Sequence, residues 1–253
     1  MLFRSEEGQE DPRPDAALPA DPRELRDAFT RFMMSYRFGL DELLTKINIL
    51  RDEFAHLHSY NPIEHVSSRL KTPESLVQKA VRKNVPLTFD GIRENIVDIA
   101  GVRINCSFVA DTYTVKDMLV GRDDVRVVDY EDYIANPKPN GYRSLHLTVE
   151  IPVSLSDRVQ RVPVEVQIRT MAMDFWASLE HKIFYKYDGE VPTRLRTELR
   201  DAAIAAYRLD VTMERLHTEV TALDAERTPR TDTVDVGALE GVFLRSLLGD
   251  GGR

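Results

Sequence analysis

Four stretches of the chain gather side chains suited to phosphate and proton chemistry. The first, RLKTPESLVQKAVRK at 69–83, sets Arg69, Lys71, Lys79, Arg82 and Lys83 against a single acid, Glu74. Ser75 and Lys79 lie one turn apart on the helix that Pro73 opens, so a hydroxyl and an ammonium share a face that could cradle a polyphosphate. A solvated basic helix is the plain alternative. In DIAGVR at 98–103, Asp98 precedes a buried strand that carries Arg103. A carboxylate there suits Mg²⁺, which takes one or two carboxylates together with phosphate oxygens, or it caps a turn. In PKPNGYRSLH at 137–146, the Asn140-Gly141 turn leads into a strand predicted to place Tyr142, Ser144 and His146 on one face. Tyr142 could stack on a base while Lys138 and His146 hold phosphates; an ordinary hairpin with an edge aromatic is the alternative. In VPVEVQIRT at 162–170, Val162, Val164, Val166 and Ile168 alternate with Glu165, Gln167 and Arg169. A helix-covered sheet has little structural use for that polar row. Glu165 is therefore the leading candidate for a catalytic carboxylate, with a cross-strand ion pair as the alternative.

The elements that must carry these residues read as helices, then sheet, then helices, an α+β fold. Asp21-Pro22-Arg23-Glu24 has the N-cap, first-turn proline and N3 glutamate of a helix start. Apolar residues at helical spacing continue to the Tyr60-Asn61-Pro62 break, with a bend expected near Gly39. Short helices are predicted near 62–69 and 73–83, and a further one near 111–120. Strands are predicted at 99–106, 125–133, 142–153 and 161–169. Helical patterning returns at 171–188 and at about 192–225. In the first of these, Phe175, Trp176, Leu179 and Ile183 read as core, and His181, Lys182 and Lys186 as a possible extension of the positive site. Residues 1–20 form an acidic, proline-bearing lead-in, 21–226 the main domain, and 227–253 a polar tail with a short amphipathic piece at 239–248.

Composition narrows the function. The 253 residues carry 34 Lys and Arg against 42 Asp and Glu, a formal net charge of −8, so any phosphate site must be local. The lone cysteine, Cys106, excludes an intramolecular disulfide and a cysteine-based zinc site within one chain, and a reducing, cytoplasmic setting is expected. No apolar run reaches the length of a membrane helix and no secretory leader is evident. The patterns GxxxxGK[ST], GxGxxG and HExxH are absent, as is a His-Asp dipeptide.

Together, RLKTPES with Lys79, DIAGVR, PKPNGYRSLH and EVQIRTMAMDFWASLEHKIFYKY at 165–187 resemble the RelA/SpoT-type (p)ppGpp synthetases over roughly residues 25–220. The short chain without a His-Asp motif is similar to the stand-alone small alarmone synthetases, for which no hydrolase activity is expected. The resemblance implies a mixed nucleotidyltransferase-type sheet flanked by helices, with long helices at both ends. It also implies Mg²⁺-dependent transfer of the ATP β,γ-pyrophosphoryl group to the 3′-OH of GTP or GDP, with GMP a further candidate, releasing AMP in the stringent response. By the same resemblance, Arg69 and Arg103 sandwich adenine, while Lys71, Ser75, Lys79 and Arg82 hold the ATP phosphates. Asp98 and Glu165 bind Mg²⁺, and Glu165 serves as base. Tyr142 stacks on guanine, and Lys138, Asn140, His146, Gln167 and Arg169 position the acceptor or organise the site. A homotetramer is implied. One branch also binds an alarmone in a central cleft through a phenylalanine where this chain has His65, so product activation there is not carried over; RNA or an alarmone as an allosteric ligand stays open. Three other readings remain at this point: a silent nucleotide- or RNA-binding relative, a nucleotidyltransferase releasing pyrophosphate, and a scaffold.

Overall fold

The computed structural model describes residues 18, 19, 21–58, 60–184 and 191–227. Helix α1 (Pro22–Leu57) is capped by Asp21, whose carboxylate accepts the Arg23 N–H at 2.9 Å. It is followed by β1 (Ile63–Leu70), α2 (Pro73–Arg82), α3 (Phe89–Asn95), β2 (Ala100–Cys106), α4 (Val109–Val120) and β3 (Arg126–Asp132). The remaining elements are β4 (Leu145–Ser154), β5 (Val159–Thr170), α5 (Met171–Phe184) and α6 (Thr193–Arg227). Residues through Thr212 form one compact unit, and a second begins at Met213, its described part being the end of α6. The lead-in up to residue 17, Lys186 and the amphipathic piece at 239–248 lie outside the described residues.

The strands make one sheet in the order β1-β2-β5-β4-β3, in which β2 and β5 run parallel and the other neighbours antiparallel. The expected α+β architecture, a mixed sheet flanked by helices, is what the chain adopts. Alternation sorts the two faces. On one face Val102 lies beside Val166 and Leu147, and Ile104 beside Ile168 and Leu145. All are buried in a core shared with Tyr36, Leu40, Leu43 and Ile47 of α1 and with Val115 and Leu119 of α4. Each such side chain contributes about 1.5–3 kcal/mol of transfer free energy. On the other face Gln167 lies between Arg103 and His146, Glu165 between Gly101 and Thr148, and Arg169 beside Asn105.

Several expectations are corrected. Residues 63–70 are an edge strand paired with β2, not a helix. Helix α3, capped by Thr88, was not foreseen. Helix α1 is a single helix that includes Gly39, where a bend is expected, and that glycine is buried against Val162. Strand β4 starts at Leu145, so Tyr142 and Ser144 belong to the extended segment before it. Of the aromatic and aliphatic stripe on α5, Trp176 is buried, its indole N–H donating to Leu199 O at 3.0 Å, whereas Phe175, Leu179 and Ile183 are exposed.

Candidate active site

Lys71 follows β1, Asp98 precedes β2, and Lys79 lies on the second turn of α2. The Lys71 N–H donates to Ile99 O at 2.8 Å, tying the entrance of α2 to the β2 edge. Thr72 caps that helix, accepting the Ser75 N–H at 3.3 Å and donating to the Ser75 hydroxyl at 3.1 Å. The result is a part-buried charge triad. Lys79 Nζ is 2.6 Å and Lys71 Nζ 3.2 Å from Asp98 Oδ2, and all three side chains are less than a fifth exposed. Burial alone would raise the Asp98 carboxyl, but Lys79 and Lys71 outweigh it and hold it below its ordinary range. Arg82 follows Lys79 by three residues at the exposed end of α2, so Ser75, Lys79 and Arg82 share one helix face.

Both lysines take the same Asp98 oxygen, and its Oδ1 is buried with no hydrogen-bond partner. A buried carboxylate oxygen with unused lone pairs fits a hard oxygen-seeking cation. Among the described residues no group of three or more His, Cys, Asp or Glu surrounds it. That donor set suits Mg²⁺ with phosphate oxygens and water completing its shell better than an all-protein cage.

Beside this triad lies the β5 carboxylate. In register, Gly101 separates Arg69 from Glu165. Arg69 lies across this glycine of the intervening strand, its Nη2 3.4 Å from Glu165 Oε2. Gln167 Nε2 donates to the same oxygen at 3.2 Å. Arg69, Gly101, Arg103, Glu165 and Gln167, with Ser67, Ser68 and Val102, line a cavity of about 170 Å³. Arg103 Nε is buried without a partner, and burial, then repulsion from Arg169, lowers the Arg103 pKa.

The third group surrounds Tyr142. The Asn140 carboxamide accepts the Tyr142 N–H at 3.1 Å, and Gly141 closes the turn at φ +92°, its N–H donating to Lys138 O at 2.8 Å. Tyr142 and His146 do meet: the phenol oxygen is 2.6 Å from His146 Nε2 and accepts Arg169 Nη2 at 2.5 Å. Arg169 can only donate, so the phenol oxygen is the acceptor toward it, and His146 Nδ1 lies 3.9 Å from Glu165 Oε1. Burial, then Arg169 and Lys138, push the His146 pKa down to about 4. His146 thus brings a neutral imidazole, and the cation at this end is Lys138, whose Nζ lies 4.2 Å from the Tyr133 ring centroid and 5.3 Å from that of Tyr142. Burial raises the Tyr142 phenol despite Arg169.

Residues 68–190 match the family model described as a region found in RelA / SpoT proteins. The GTP pyrophosphokinase YwaC of Bacillus subtilis is 52% identical over 188 residues, spanning 74% of this chain and 90% of that one. The chain belongs to the RelA/SpoT family. A second relative, GTP pyrophosphokinase YjbM of B. subtilis, is 44% identical across 75% of this chain and 89% of its own. Among solved structures, small alarmone synthetase 1 from B. subtilis bound to its product pppGpp superposes with TM-score 0.71 at 43% identity, covering 77% of this chain and 98% of that one. The same enzyme bound to AMPCPP gives 0.65 at 41% identity, covering 78% and 99%.

In this RelA/SpoT chain twelve of the fourteen foreseen residues fall into three adjoining groups, Lys71, Lys79 and Asp98; Arg69, Arg103, Glu165 and Gln167; and Lys138, Asn140, Tyr142, His146 and Arg169; Ser75 and Arg82 are exposed on α2. Two of the twelve are structural in their contacts. Asn140 builds its own turn and reaches Glu180 Oε1 at 3.4 Å, and the 5%-exposed Arg169 side chain spends its donors on Tyr142, Gln167, Ser144 and Asp174. Sequence reasoning missed Tyr133, whose ring stands edge-on to His146 at 5.2 Å. It also missed Asp174, which pairs with Arg103 and Arg169. The only sequence signal for Asp174 was an acid in the first turn of the helix directly after the polar strand.

Proposed function

We propose that this chain synthesises (p)ppGpp by transferring the β,γ-pyrophosphoryl group of ATP to the 3′-hydroxyl of GTP or GDP, with release of AMP. The observation that carries this reading is the placement of Asp98, with its unsatisfied oxygen and two lysines, just before the strand that runs beside Glu165, which pairs with Arg69 and shares a cavity with Arg103. The names of the relatives and the product held by small alarmone synthetase 1 support it.

Arg69 and Arg103 sit diagonally on neighbouring strands, where side chains are about 7–8 Å apart. Two van der Waals spacings of about 3.5–4 Å fill that gap with one flat base, so the pair clamps adenine. Lys71, Ser75, Lys79 and Arg82 receive the triphosphate on one side of α2. Asp98 and Glu165 would hold Mg²⁺, which when bound neutralises the gathered phosphate charge and polarises the β-phosphorus. Tyr142 presents its ring to guanine and Lys138 reaches the acceptor's phosphates. Glu165 takes the proton of the 3′-hydroxyl as that oxygen bonds to the β-phosphorus; the bond from the β-phosphorus to the bridging oxygen breaks, and AMP leaves with that oxygen. Positioning and charge neutralisation supply most of the rate.

The described part of α6 beyond Thr212 leaves Met213, Leu216, Val220 and Leu223 exposed at spacings of three and four residues, the seam of a helix that pairs with another. That stripe supports self-association, and a tetramer is the proposed state. Among the described residues, no helix is long and apolar enough to cross a membrane.

The test is incubation of the full chain with Mg²⁺, γ-labelled ATP and GTP, GDP or GMP, beside a Glu165→Gln control. Label on the guanosine nucleotide with equal AMP, reduced about 10²–10⁴-fold in the control, is expected for loss of a general base. Release of pyrophosphate in place of AMP, or equal transfer by the control, would overturn the reading.

A further inference from the structure

Asp174 enters the site from the first turn of α5, where an acid is favoured by the helix dipole. Its contacts exceed that role. Oδ1 lies 3.1 Å from Arg103 Nη1 and 3.1 Å from Arg169 Nη1, while Asn105 Nδ2 donates to Oδ2 at 3.2 Å. Arg103 and Arg169 project from adjacent parallel strands, and two guanidiniums so placed repel one another unless an anion sits between them. Arg103 lines the cavity it shares with Arg69 and Glu165. Arg169 faces the other way along the sheet, holding the Tyr142 phenol at 2.5 Å and the Gln167 carbonyl at 2.6 Å. A single carboxylate oxygen therefore fixes one arginine of each nucleotide site.

We infer that Asp174 is a positioning residue that aligns the donor and acceptor sites together, through Arg103 on one side and through Arg169 and Tyr142 on the other. This rests on the assignment of ATP to the Arg69–Arg103 side and the guanosine nucleotide to the Tyr142 side. Asp174 touches neither nucleotide; removing its charge releases both arginines at once.

The test compares wild type, Asp174→Asn and Asp174→Glu as full chains. Equilibrium binding of AMPCPP and of GDP is measured separately, followed by KM and kcat for ATP and for GDP and by thermal melting. The near-isosteric Asp174→Asn should weaken AMPCPP and GDP in step, each about tenfold, the scale of one hydrogen bond to a charged group, with both KM values rising more than kcat falls. Asp174→Glu, which keeps the charge but not the shape, should recover the larger part of both. A lower melting temperature with both affinities intact would make Asp174 merely structural and overturn the inference. Weakening of only one nucleotide, or a worse defect in Asp174→Glu than in Asp174→Asn, would overturn it as well. Wild-type turnover separates the two levels. Label transfer by wild type with normal binding by Asp174→Asn sinks the positioning role alone, whereas no transfer by wild type sinks the functional reading and this role with it.

Discussion

Gly141→Ala tests how the acceptor loop is held. The glycine stands at φ +92°, and a Cβ built there would lie 2.5 Å from the Cβ of Ala203 on α6. Two costs therefore add. An L-residue forced into that backbone region costs about 1–3 kcal/mol, and the overlap with Ala203, a helix residue with little room to retreat, costs about 1–3 kcal/mol as overpacking. Their sum of about 2–6 kcal/mol corresponds to a drop in Tm of about 5–20 °C for a chain of this size. The two contributions separate in a double-mutant cycle with Ala203→Gly, which alone costs about 1 kcal/mol of helix propensity. In the double variant the overlap is gone and the backbone strain remains. Gly141→Ala should thus cost about 1–3 kcal/mol less on the Ala203→Gly background than on wild type. Lys138, Asn140 and Tyr142 ride on this loop, so KM for GDP should rise more than KM for ATP. Denaturant unfolding at fixed protein concentration, with the two KM values, is the assay. A Gly141→Ala variant within about 0.5 kcal/mol of wild type, the range of an ordinary surface change, would refute the reasoning, as would strict additivity in the cycle.

Other perturbations probe the remaining groups. Asp98→Asn removes the carboxylate charge that Lys71 and Lys79 pair with and the proposed metal oxygen; AMP release at saturating substrates should fall about 10³-fold or more, and a loss below about tenfold would refute the assignment. His146 has its folded pKa depressed to about 4 from an unfolded 6.5, so its stabilising contribution is complete above pH 6.5 and disappears as pH falls toward 4. Its imidazole NMR resonances should stay in the neutral form at pH 5.5, and a titration midpoint near 6.5 would contradict the buried, Tyr142-bonded geometry. Tyr142→Phe keeps the ring but removes the oxygen shared by Arg169 and His146. KM for GDP should rise about fivefold, the scale of one net hydrogen bond, and Tyr142→Ala should raise it further; equal effects would mean that the ring does not contribute.

Most of the fold was legible because its elements announce themselves locally. The Asp21-Pro22 start of α1, the Thr72-Pro73 start of α2 and the period-2 alternation of β5 are sequence-local signals, and each marks a real element. Strand β1 was misread for a physical reason. Ile63, Val66 and Leu70 recur at intervals of three and four, the helical period, and as an edge strand β1 buries only Ile63 fully, so alternation never develops. What makes it a strand is antiparallel pairing with β2, thirty or more residues downstream, from Ile63 opposite Cys106 to Leu70 opposite Ala100. Helix α3 spans seven residues, too few for periodicity to register.

The site divides along the same line. Glu165, Gln167 and Arg169 could be picked out because a polar row on one strand violates the burial rule within nine residues. That Arg69 reaches Glu165 depends on β2 lying between β1 and β5 with position 101 in register with both, and that Arg103 and Arg169 share Asp174 depends on β2 and β5 running parallel, with Arg103 opposite Gln167 and Asn105 opposite Arg169. Composition offers no warning of either. The same dependence hides what Arg169 touches: the family resemblance alone gives it as a residue that positions the acceptor or organises the site. Tyr142, Gln167, Ser144 and Asp174 take its donors, so Arg169 holds the Tyr142 phenol, which in turn meets His146 Nε2. On the proposed function, chemistry in this site is set by residues that touch the nucleotides, and its geometry by Arg169 and Asp174.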